Sequence, residues 1–593
     1  MEKWVLINKK ADITAMSEQL KIDPVTARIL ANRGLDSAEK ARAFLNGTLA
    51  DLHDPRLLMD AEKAASLIRE GLERGLRFAV ASDYDADGLF GGMILQEALE
   101  ALGAEVTVLT PDRIEEGYGL NTRIVDEALA FGAAILITCD NGISAAEAVK
   151  YARDKGMTVI VTDHHEVPKA DVPDPARKEA EQILPPAHAV VDPKRTDCSY
   201  PFPGICGAVV ALKLMMLLYA RLGKDASALL EGLLPYAAIA TVADVMDLVD
   251  ENRILVKEGL KRLQHTENPG LKALIALQGL QDKPLSAYHL GFILGPCFNA
   301  AGRLETVDAA RALLMAKNDE EALPLAGRLI ELNSARKTLT ARGVEEAEEK
   351  IREEGLAQDK VLVVYLPDCH ESVIGIIAGR LKESYNRPVY VLAGNGEICK
   401  GSGRSIEAYP MFDRLSEVKE LLEKFGGHPM AAGFSLKKEN IGAFRVKINE
   451  KSDLTEDDLC TIIRLDAAMP PEYVSFGLIR EWEKLAPFGK GFEKPLFGRT
   501  GLLMSGIRVL GQKRNVVRIR FDGESGESFQ GIWFGDAAVF EAFVTEHYGK
   551  KAFTMLERYQ AKFPVALSYV PRVNEYDGKR SIQFEIRSFQ TVS

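Results

Sequence analysis

The sequence predicts an α/β protein in which a parallel-sheet domain and a smaller α/β domain are joined by a long helix and followed by a β-barrel. Three observations predict it. Short β-branched runs alternate with helical patterns from about Arg77 to Asp192; a highly charged stretch with spaced apolar residues fills Asn318 to Glu354; and strand-sized runs separated by turns fill the chain from about Leu465. A chain of 593 residues exceeds what one hydrophobic core organises, which agrees with several domains.

In chain order, residues 1–75 read as a helical N-terminal extension. Residues 76–315 carry the runs FAVAS, EVTVLT, AILIT, TVIVT and AVVD, with helix-like LFGGMILQEALEALG, TRIVDEALAFG and SAAEAVKYARDKG between them. Strand-sized runs spaced by helices with one polar face are βαβ units and give a parallel sheet. Residues 316–356 read as one connecting helix, with Pro324 near its start, where proline is tolerated. Residues 357–455 repeat the α/β pattern on a smaller scale (VLVVYLP, ESVIGIIAGRLKESYN, RPVYVLAG). Residues 460–593 hold GIRVL, VVRIRF, FQGIWFG, ALSYV and SIQFEI, five short strands that suggest a small barrel of the oligonucleotide-binding kind.

Bulk composition excludes several classes. Apolar and charged fractions are those of globular protein. No window reaches the roughly 18 apolar residues of a membrane span, so no membrane partner is expected. MEKWVLINKKAD lacks an apolar core and a cleavage site, so the expected location is the cytoplasm. The seven cysteines are scattered, without zinc-finger or redox spacing, and are expected as reduced thiols. A net charge of −12 argues against broad nonspecific nucleic-acid binding, though a local basic groove is compatible with an acidic whole.

Three strand ends of the first domain carry the same kind of residue. FAVAS runs into Asp83-Tyr84-Asp85-Ala86-Asp87-Gly88, AILIT into Cys139-Asp140-Asn141-Gly142, and TVIVT into Asp163-His164-His165. The carboxyl ends of parallel strands lie along one edge, so topology alone gathers these groups. Asp244, after the apolar AIATVA, is a fourth candidate. Each string has a plain structural reading: a calcium loop, a turn, or a helix cap with exposed rings. The glutamate that closes an EF-hand is absent from LFGGMILQ, and three such strings on three strand ends exceed what turns explain. Crowded carboxylates repel one another unless cations neutralise them. Asp oxygens with imidazole suit manganese, with magnesium or zinc as alternatives, and two ions about 3.5–4 Å apart can activate a hydroxide and stabilise a leaving oxygen.

At these residues the chain resembles the DHH phosphoesterases, and within them the RecJ exonucleases. The resemblance continues through RIEEGYGLN (113–121), VDPKRTDCSYPF (191–202), TVAD, GPCFNAAGRLE (295–305), GSGRS (401–405), FGGHPMAAGFSL, LAPFGKGFEKP and NEYDGKRSIQ. It implies a 5′-to-3′ exonuclease that hydrolyses single-stranded DNA to 5′ mononucleotides in repair and recombination. It also implies two Mn²⁺ or Mg²⁺ ions held by Asp85, Asp87, Asp140, His164 and Asp244, with Asp140 as the bridge. Asp83 and Asp163 would orient ligands, and His165 would touch the scissile phosphate. Asn299 and Arg303 would bind phosphate facing the metals, and Ser402 with Arg404 would hold the 5′-terminal phosphate beside His428. Single-stranded DNA is the implied partner, with a single-strand-binding protein and a helicase as further ones. Two departures stand out: Ala81 occupies a position where a histidine is common, and Cys297 one where arginine is usual.

Lys513, Arg514, Arg518 and Arg520 near Trp533 and Phe534, with Arg572, Tyr576, Lys579 and Arg580, offer cations for phosphates and aromatics for bases. For Trp and Phe in a barrel, a place in the core is the competing reading. Two rival functions remain: hydrolysis of short RNA or cyclic dinucleotides, and a noncatalytic DNA-binding role.

Overall fold

The computed structural model describes residues 2–113, 116–170, 181–523 and 525–592. Residues 51–461 form one compact unit, and residues 1–50 with 462–593 form another. The expected extension 1–75 is thus divided between units. Its first residues are a strand, β1 (Glu2–Leu6), before the helices Ile13–Leu20, Pro24–Asn32 and Ala38–Asn46. Asp12, Asp23 and Ser37 cap these helices through their side chains.

In the unit 51–461, β2 (Arg77–Ser82), β3 (Val106–Leu109), β4 (Ala133–Cys139), β5 (Thr158–Thr162) and β6 (Ala189–Val191) form an all-parallel sheet in the order β3-β2-β4-β5-β6. Helices Thr122–Phe131 and Ala146–Asp154 cover one face around Leu136, Val159 and Val161. Ala61–Glu73, Ala86–Glu100 and Gly207–Arg221 cover the other, where Gly71 meets Phe78 and Ile135. With both faces covered, the strands read as continuous apolar runs. From β2 the chain crosses outward to β3 and then back to β4, so the strand order reverses between β2 and β4. A crevice opens at such a switch point, beyond the carboxyl ends of the strands.

The connecting helix spans Asp319–Glu353, with the Asn318 side chain accepting from the Glu321 N–H. Pro324 lies past its first turn, deeper than expected, where its missing N–H removes the bond to the Glu320 carbonyl. Beyond it, β7 (Leu362–Leu366), β8 (Val389–Ala393), β9 (Ile398–Arg404), β10 (Lys424–His428) and β11 (Ala431–Lys437) form a mixed sheet ordered β10-β11-β9-β8-β7. Only β7 and β8 run parallel. Ser402 and Arg404 therefore share one face of β9, and His428 ends β10.

In the other unit, β12 (Thr461–Leu465) pairs with β1, and β13 (Ala467–Ala468) precedes β14 (Phe497–Leu510), β15 (Val516–Asp522), β16 (Ser528–Phe534), β17 (Phe563–Tyr576) and β18 (Lys579–Gln590). β14 pairs with both β15 and β17, closing the ring β14-β15-β16-β18-β17. The one parallel pairing of that ring joins β16 to β18, and two helices lie between β16 and β17. This closed five-stranded arrangement is that of an oligonucleotide-binding barrel. Asn32 donates to the Asp466 carbonyl at 3.0 Å and Trp482 to Thr26 at 3.1 Å, which ties residues 1–50 to the barrel. Among the described residues no helix is long and apolar enough to cross a membrane.

Candidate metal centre

The carboxylates collect at the switch point. Asp83 follows β2 directly, and Asp85 caps the helix Ala86–Glu100 by accepting from the N–H groups of Asp87 (2.9 Å) and Gly88 (3.1 Å). Glycine is required at 88, because a Cβ there would stand 2.5 Å from the Asp83 carbonyl oxygen. Asp140 follows β4 with φ +61°, a left-handed conformation that costs an ordinary residue about 1–3 kcal/mol and clusters at functional sites. The Asn141 amide holds that turn by donating to the carbonyls of Ala81 (3.0 Å) and Cys139 (2.9 Å). Asp244 ends the helix Ser227–Ala243, where the helix dipole is negative and disfavours a carboxylate that lacks a cation.

Three candidate ligand groups emerge among the described residues, each with donor atoms within 4.8 Å of one another: Asp83, Asp85 and Asp140; Asp140, His164 and His165; and Asp87, His164 and Asp244. Asp140 joins them, since His164 Nε2 lies 3.1 Å from its Oδ1, 3.6 Å from Asp87 and 3.7 Å from Asp244. The expected ligands Asp85, Asp87, Asp140, His164 and Asp244 all fall within these groups, and Asp83, expected to orient ligands, falls among them too. Asp87 has both oxygens engaged by backbone N–H groups, those of Gly207 (2.7 Å) and Ala208 (2.9 Å) at the start of the helix Gly207–Arg221. A helix N-terminus is a natural seat for such a carboxylate. Asp163 accepts at one oxygen from the N–H of His164 (2.7 Å) and from His165 Nδ1 (2.8 Å), and at the other from the Ile143 N–H (2.9 Å).

The electrostatics call for cations. Burial, then the fields of Asp87, Asp85 and Asp244, push the Asp140 carboxyl well above the usual range. Asp244 and Asp83 are raised the same way, by burial first and neighbouring aspartates second. Burial lowers His164, favouring the neutral ligating ring. Burial alone would lower His165 too, but the Asp163 bond and the surrounding carboxylates push it up to about 9. Asp140 Oδ1 and Asp83 Oδ1 are buried without a hydrogen-bond partner among the described residues. Unsatisfied buried oxygens beside a neutral imidazole are a donor set that fits divalent cations.

Several supporting residues were not singled out by the sequence reading. The Tyr118 hydroxyl donates to the Asp140 carbonyl at 2.7 Å and lies 3.0 Å from His165 Nδ1; its own motif was visible, but residues 114 and 115 within it lie outside the described residues. A Cβ on Gly207 would stand 2.6 Å from Asp140 Cβ. Gly207→Ala is therefore expected to lower kcat/KM by about a hundredfold, the scale of a 1 Å misplacement, while circular dichroism stays native. Behind the site, Lys213 and Glu251, both fully buried, pair at 2.6 Å, and Tyr200 donates to Glu251. Asn252 ties the loop after Asp244 to the loop before Gly207 by donating to the carbonyls of Asp247 (3.1 Å) and Gly204 (2.7 Å). Lys213→Met strands a buried carboxylate and is expected to cost about 3–5 kcal/mol in urea unfolding; a loss under 1 kcal/mol would contradict the pairing.

The two sequence departures are accommodated. Ala81 is buried in the core on the sheet face of Leu136 and Val161, away from the carboxylates. Cys297 is buried too, with Sγ receiving the Asn333 amide at 3.4 Å and the Gln278 amide at 3.6 Å. Arg336, one turn after Asn333, bonds to the Asn333 side chain (2.9 Å) and puts a cation on that side.

Facing the carboxylates is a group of arginines. Arg303, on the helix Gly295–Leu304, donates to the Ser372 carbonyl at 2.8 Å. Burial, then Arg113, Arg336 and Arg404, lowers its guanidinium to about 9, with Asp85 opposing. Burial and Arg113 lower Arg404, which donates to Ser402 Oγ at 3.3 Å. Arg113 stacks 4.6 Å over the Tyr84 ring. The Asn299 carboxamide oxygen accepts from the Ala86 N–H at 2.8 Å, so it fixes the Asp85 turn. His428 Nδ1 accepts from the Met430 N–H at 3.2 Å, and the field of Arg404 reaches its ring.

In the barrel, Lys513, Arg514 and Arg520 are exposed and Arg518 half-buried, with Arg518 and Arg520 on the outer face of β15. Trp533 packs on Phe540 and Phe589, whereas Phe534 is exposed with Arg572 5.7 Å over its ring.

Comparison with known proteins matches residues 77–241 to the DHH family N-terminal domain, 358–452 to the DHHA1 domain and 465–588 to the RecJ OB domain. The chain is 33% identical to the single-stranded-DNA-specific exonuclease RecJ of Escherichia coli over 98% of its own length and 97% of that protein's. It is 36% identical to RecJ of Bacillus subtilis over 88% of its length, spanning 65% of that longer protein. The crystal structure of RecJ from Thermus thermophilus in complex with Mn²⁺ superposes with a TM-score of 0.80 at 27% identity, covering all of this chain and 80% of that one. Domain order, carboxylate cluster and near-complete alignment agree: this chain belongs to the RecJ family of single-stranded-DNA-specific exonucleases within the DHH phosphoesterases.

Proposed function

We propose that the chain hydrolyses single-stranded DNA from its 5′ end to 5′ mononucleotides with two Mn²⁺ or Mg²⁺ ions. The observation that carries this reading is the chain of three overlapping candidate ligand groups, Asp83–Asp85–Asp140, Asp140–His164–His165 and Asp87–His164–Asp244, opposite buried arginines that no carboxylate pairs among the described residues. Asp85, Asp87, Asp140, His164 and Asp244 would hold the two ions, with Asp83 and Asp163 orienting ligands, and Asp87 also anchors the Gly207 helix. When bound, the ions supply a deprotonated water at neutral pH and neutralise charge in an in-line displacement. His165 offers an N–H to a nonbridging oxygen of the scissile phosphate, and Asp163 sets its ring orientation. Arg303 presents its fork to the same phosphate. Arg404, Ser402 and His428 take the terminal 5′ phosphate, which sets the direction of cleavage. Asn299 acts by holding the Asp85 turn and by facing phosphate with its amide.

Lys513, Arg514, Arg518 and Arg520 on the barrel track the phosphates of the strand. A single-strand-binding protein and a helicase supply that strand, in the cytoplasm, during repair and recombination. The domain divisions 76–315, 316–356, 357–455 and 460–593 serve this scheme as nuclease core, connector, phosphate pocket and strand holder.

The test is incubation of 5′-labelled single- and double-stranded DNA with Mn²⁺, with products sized over time. Immediate release of labelled mononucleotide from single strands alone is expected. Internal fragments, or cleavage confined to dinucleotides, would refute the proposal.

A further inference from the structure

The motif VDPKRTDCSYPF supplies none of the ligands or phosphate contacts above, yet β6 delivers its first residues to the same sheet edge. β6 lies beside β5, and the Asp163 N–H donates to the Val191 carbonyl at 3.1 Å. Asp192 is thus the next strand-end aspartate after Asp163. It is fully buried and accepts from the Lys194 N–H at 2.7 Å. The turn that follows is fastened on several sides. The Gln182 amide donates to the Lys194 carbonyl at 3.0 Å, and its oxygen accepts from the Thr196 N–H at 2.8 Å. Arg195 is buried, donates to the Val190 carbonyl at 2.6 Å and pairs with Asp60 (3.0 Å) and Asp197 (2.7 Å). A loop fixed this firmly holds one long side chain in place, that of Lys194.

The Lys194 ammonium meets Glu166, the residue after His165, at 3.3 Å. The Glu166 side chain is 73% exposed, so this is a loose surface pair that yields the ammonium to a stronger anion. Behind burial, the Lys194 charge is among the fields acting on His164, Asp244 and His428. His164 and Asp244 belong to the metal site, whereas His428 belongs to the pocket assigned to the 5′-terminal phosphate. Lys194 therefore lies between the two. One nucleotide spans that interval, from its own 5′ phosphate to the scissile phosphorus, and the atom it places there is its 3′ oxygen. We infer that Lys194 is a further catalytic residue, the acid that protonates the departing 3′ oxygen. This rests on the exonuclease reading above. In that step water adds its oxygen to phosphorus and gives a proton to solvent, the bond from phosphorus to the 3′ oxygen breaks, and its electron pair stays on that oxygen. The oxygen takes a proton from the Lys194 ammonium, and solvent returns one to the amine. An alkoxide is a much stronger base than an amine, so the transfer is downhill, and a positioned acid contributes about 10²- to 10⁴-fold. Arginine cannot replace it, since a guanidinium keeps its protons.

The test gives the full chain, with Mn²⁺, two short 5′-phosphorylated single strands, one natural and one with sulfur in place of the 3′ oxygen of the terminal nucleotide. A thiolate leaves without protonation. Lys194→Met should lose about 10²- to 10⁴-fold in kcat/KM on the natural strand and less than about tenfold on the sulfur strand. Each preparation is assayed on both strands, so a misfolded fraction cancels in the ratio. Lys194→Arg should recover little on the natural strand. Binding of the natural strand in EDTA should stay within about threefold of wild type, because a contact made as the bond breaks adds little to ground-state affinity. Equal losses on both strands, or full recovery in Lys194→Arg, would overturn the acid role. So would a loss of affinity that matches the loss of turnover, which would make Lys194 a phosphate contact instead. Wild type that degrades neither strand would overturn the nuclease reading itself, and the acid with it.

Discussion

Asp140→Asn lowers Mn²⁺-dependent turnover of single-stranded DNA by about 10³- to 10⁴-fold, as expected when a shared ligand that supports several kcal/mol of charge stabilisation is removed. The geometry makes this the most damaging single substitution in the site. Asp140 is the carboxylate that belongs to two of the three candidate ligand groups, and its Oδ1 faces His164 at 3.1 Å. The same variant should be at least as stable as the wild type in EDTA. The carboxyl it removes is one that burial and four aspartates already hold far above its normal range, so its loss relieves repulsion. Thermal melts with and without Mn²⁺ separate the two effects: wild type gains stability from the ion, and the variant gains much less. Turnover within tenfold of wild type, or an undiminished Mn²⁺ shift, would rule out a shared bridging role.

The parts of this architecture legible in the sequence are those that local pattern and topology dictate. Five β-branched runs became five parallel strands, and the three acidic strand ends met at one edge because parallel strands point their carboxyl ends the same way. The connecting helix and the barrel strands followed from periodicity in the same manner. Long-range partners were not legible. Nothing near Asp87 announces that its oxygens also accept from N–H groups 120 and 121 residues later. Helical spacing was visible in residues 13–46, but its partner, Asp466, lies over 400 residues away, so what the N-terminal extension packs against was not legible. Trp533 and Phe534 are neighbours with different fates, because alternation packs the half-buried Trp533 on Phe540 and Phe589 and leaves Phe534 exposed. The sequence showed that Ala81 departs from a common histidine but not where its side chain goes; the fold places it in the hydrophobic core with Leu136 and Val161.

Arg303 carries the second large expectation, and it has an unusual signature. Arginine in a protein interior is normally paired with a carboxylate, yet here burial and three other arginines bring Arg303 down to about 9, against only the opposing field of Asp85. A cation kept in such surroundings destabilises the free protein and acquires its partner only when an anion arrives. Arg303→Met should therefore raise the thermal midpoint in phosphate-free buffer while lowering kcat/KM by about 10²- to 10³-fold, the scale for one preorganised charge donor. Arg303→Lys should recover little activity, because a point charge cannot reproduce the two-pronged contact. Inorganic phosphate should stabilise the wild type more than Arg303→Met in the same melts, since ligand binding to the folded state alone raises the midpoint. Opposite movement of stability and activity is what distinguishes a substrate-facing arginine from a structural one. If Arg303→Met lost stability and activity together, with phosphate stabilising both proteins equally, the side chain would be holding the Ser372 carbonyl and nothing more.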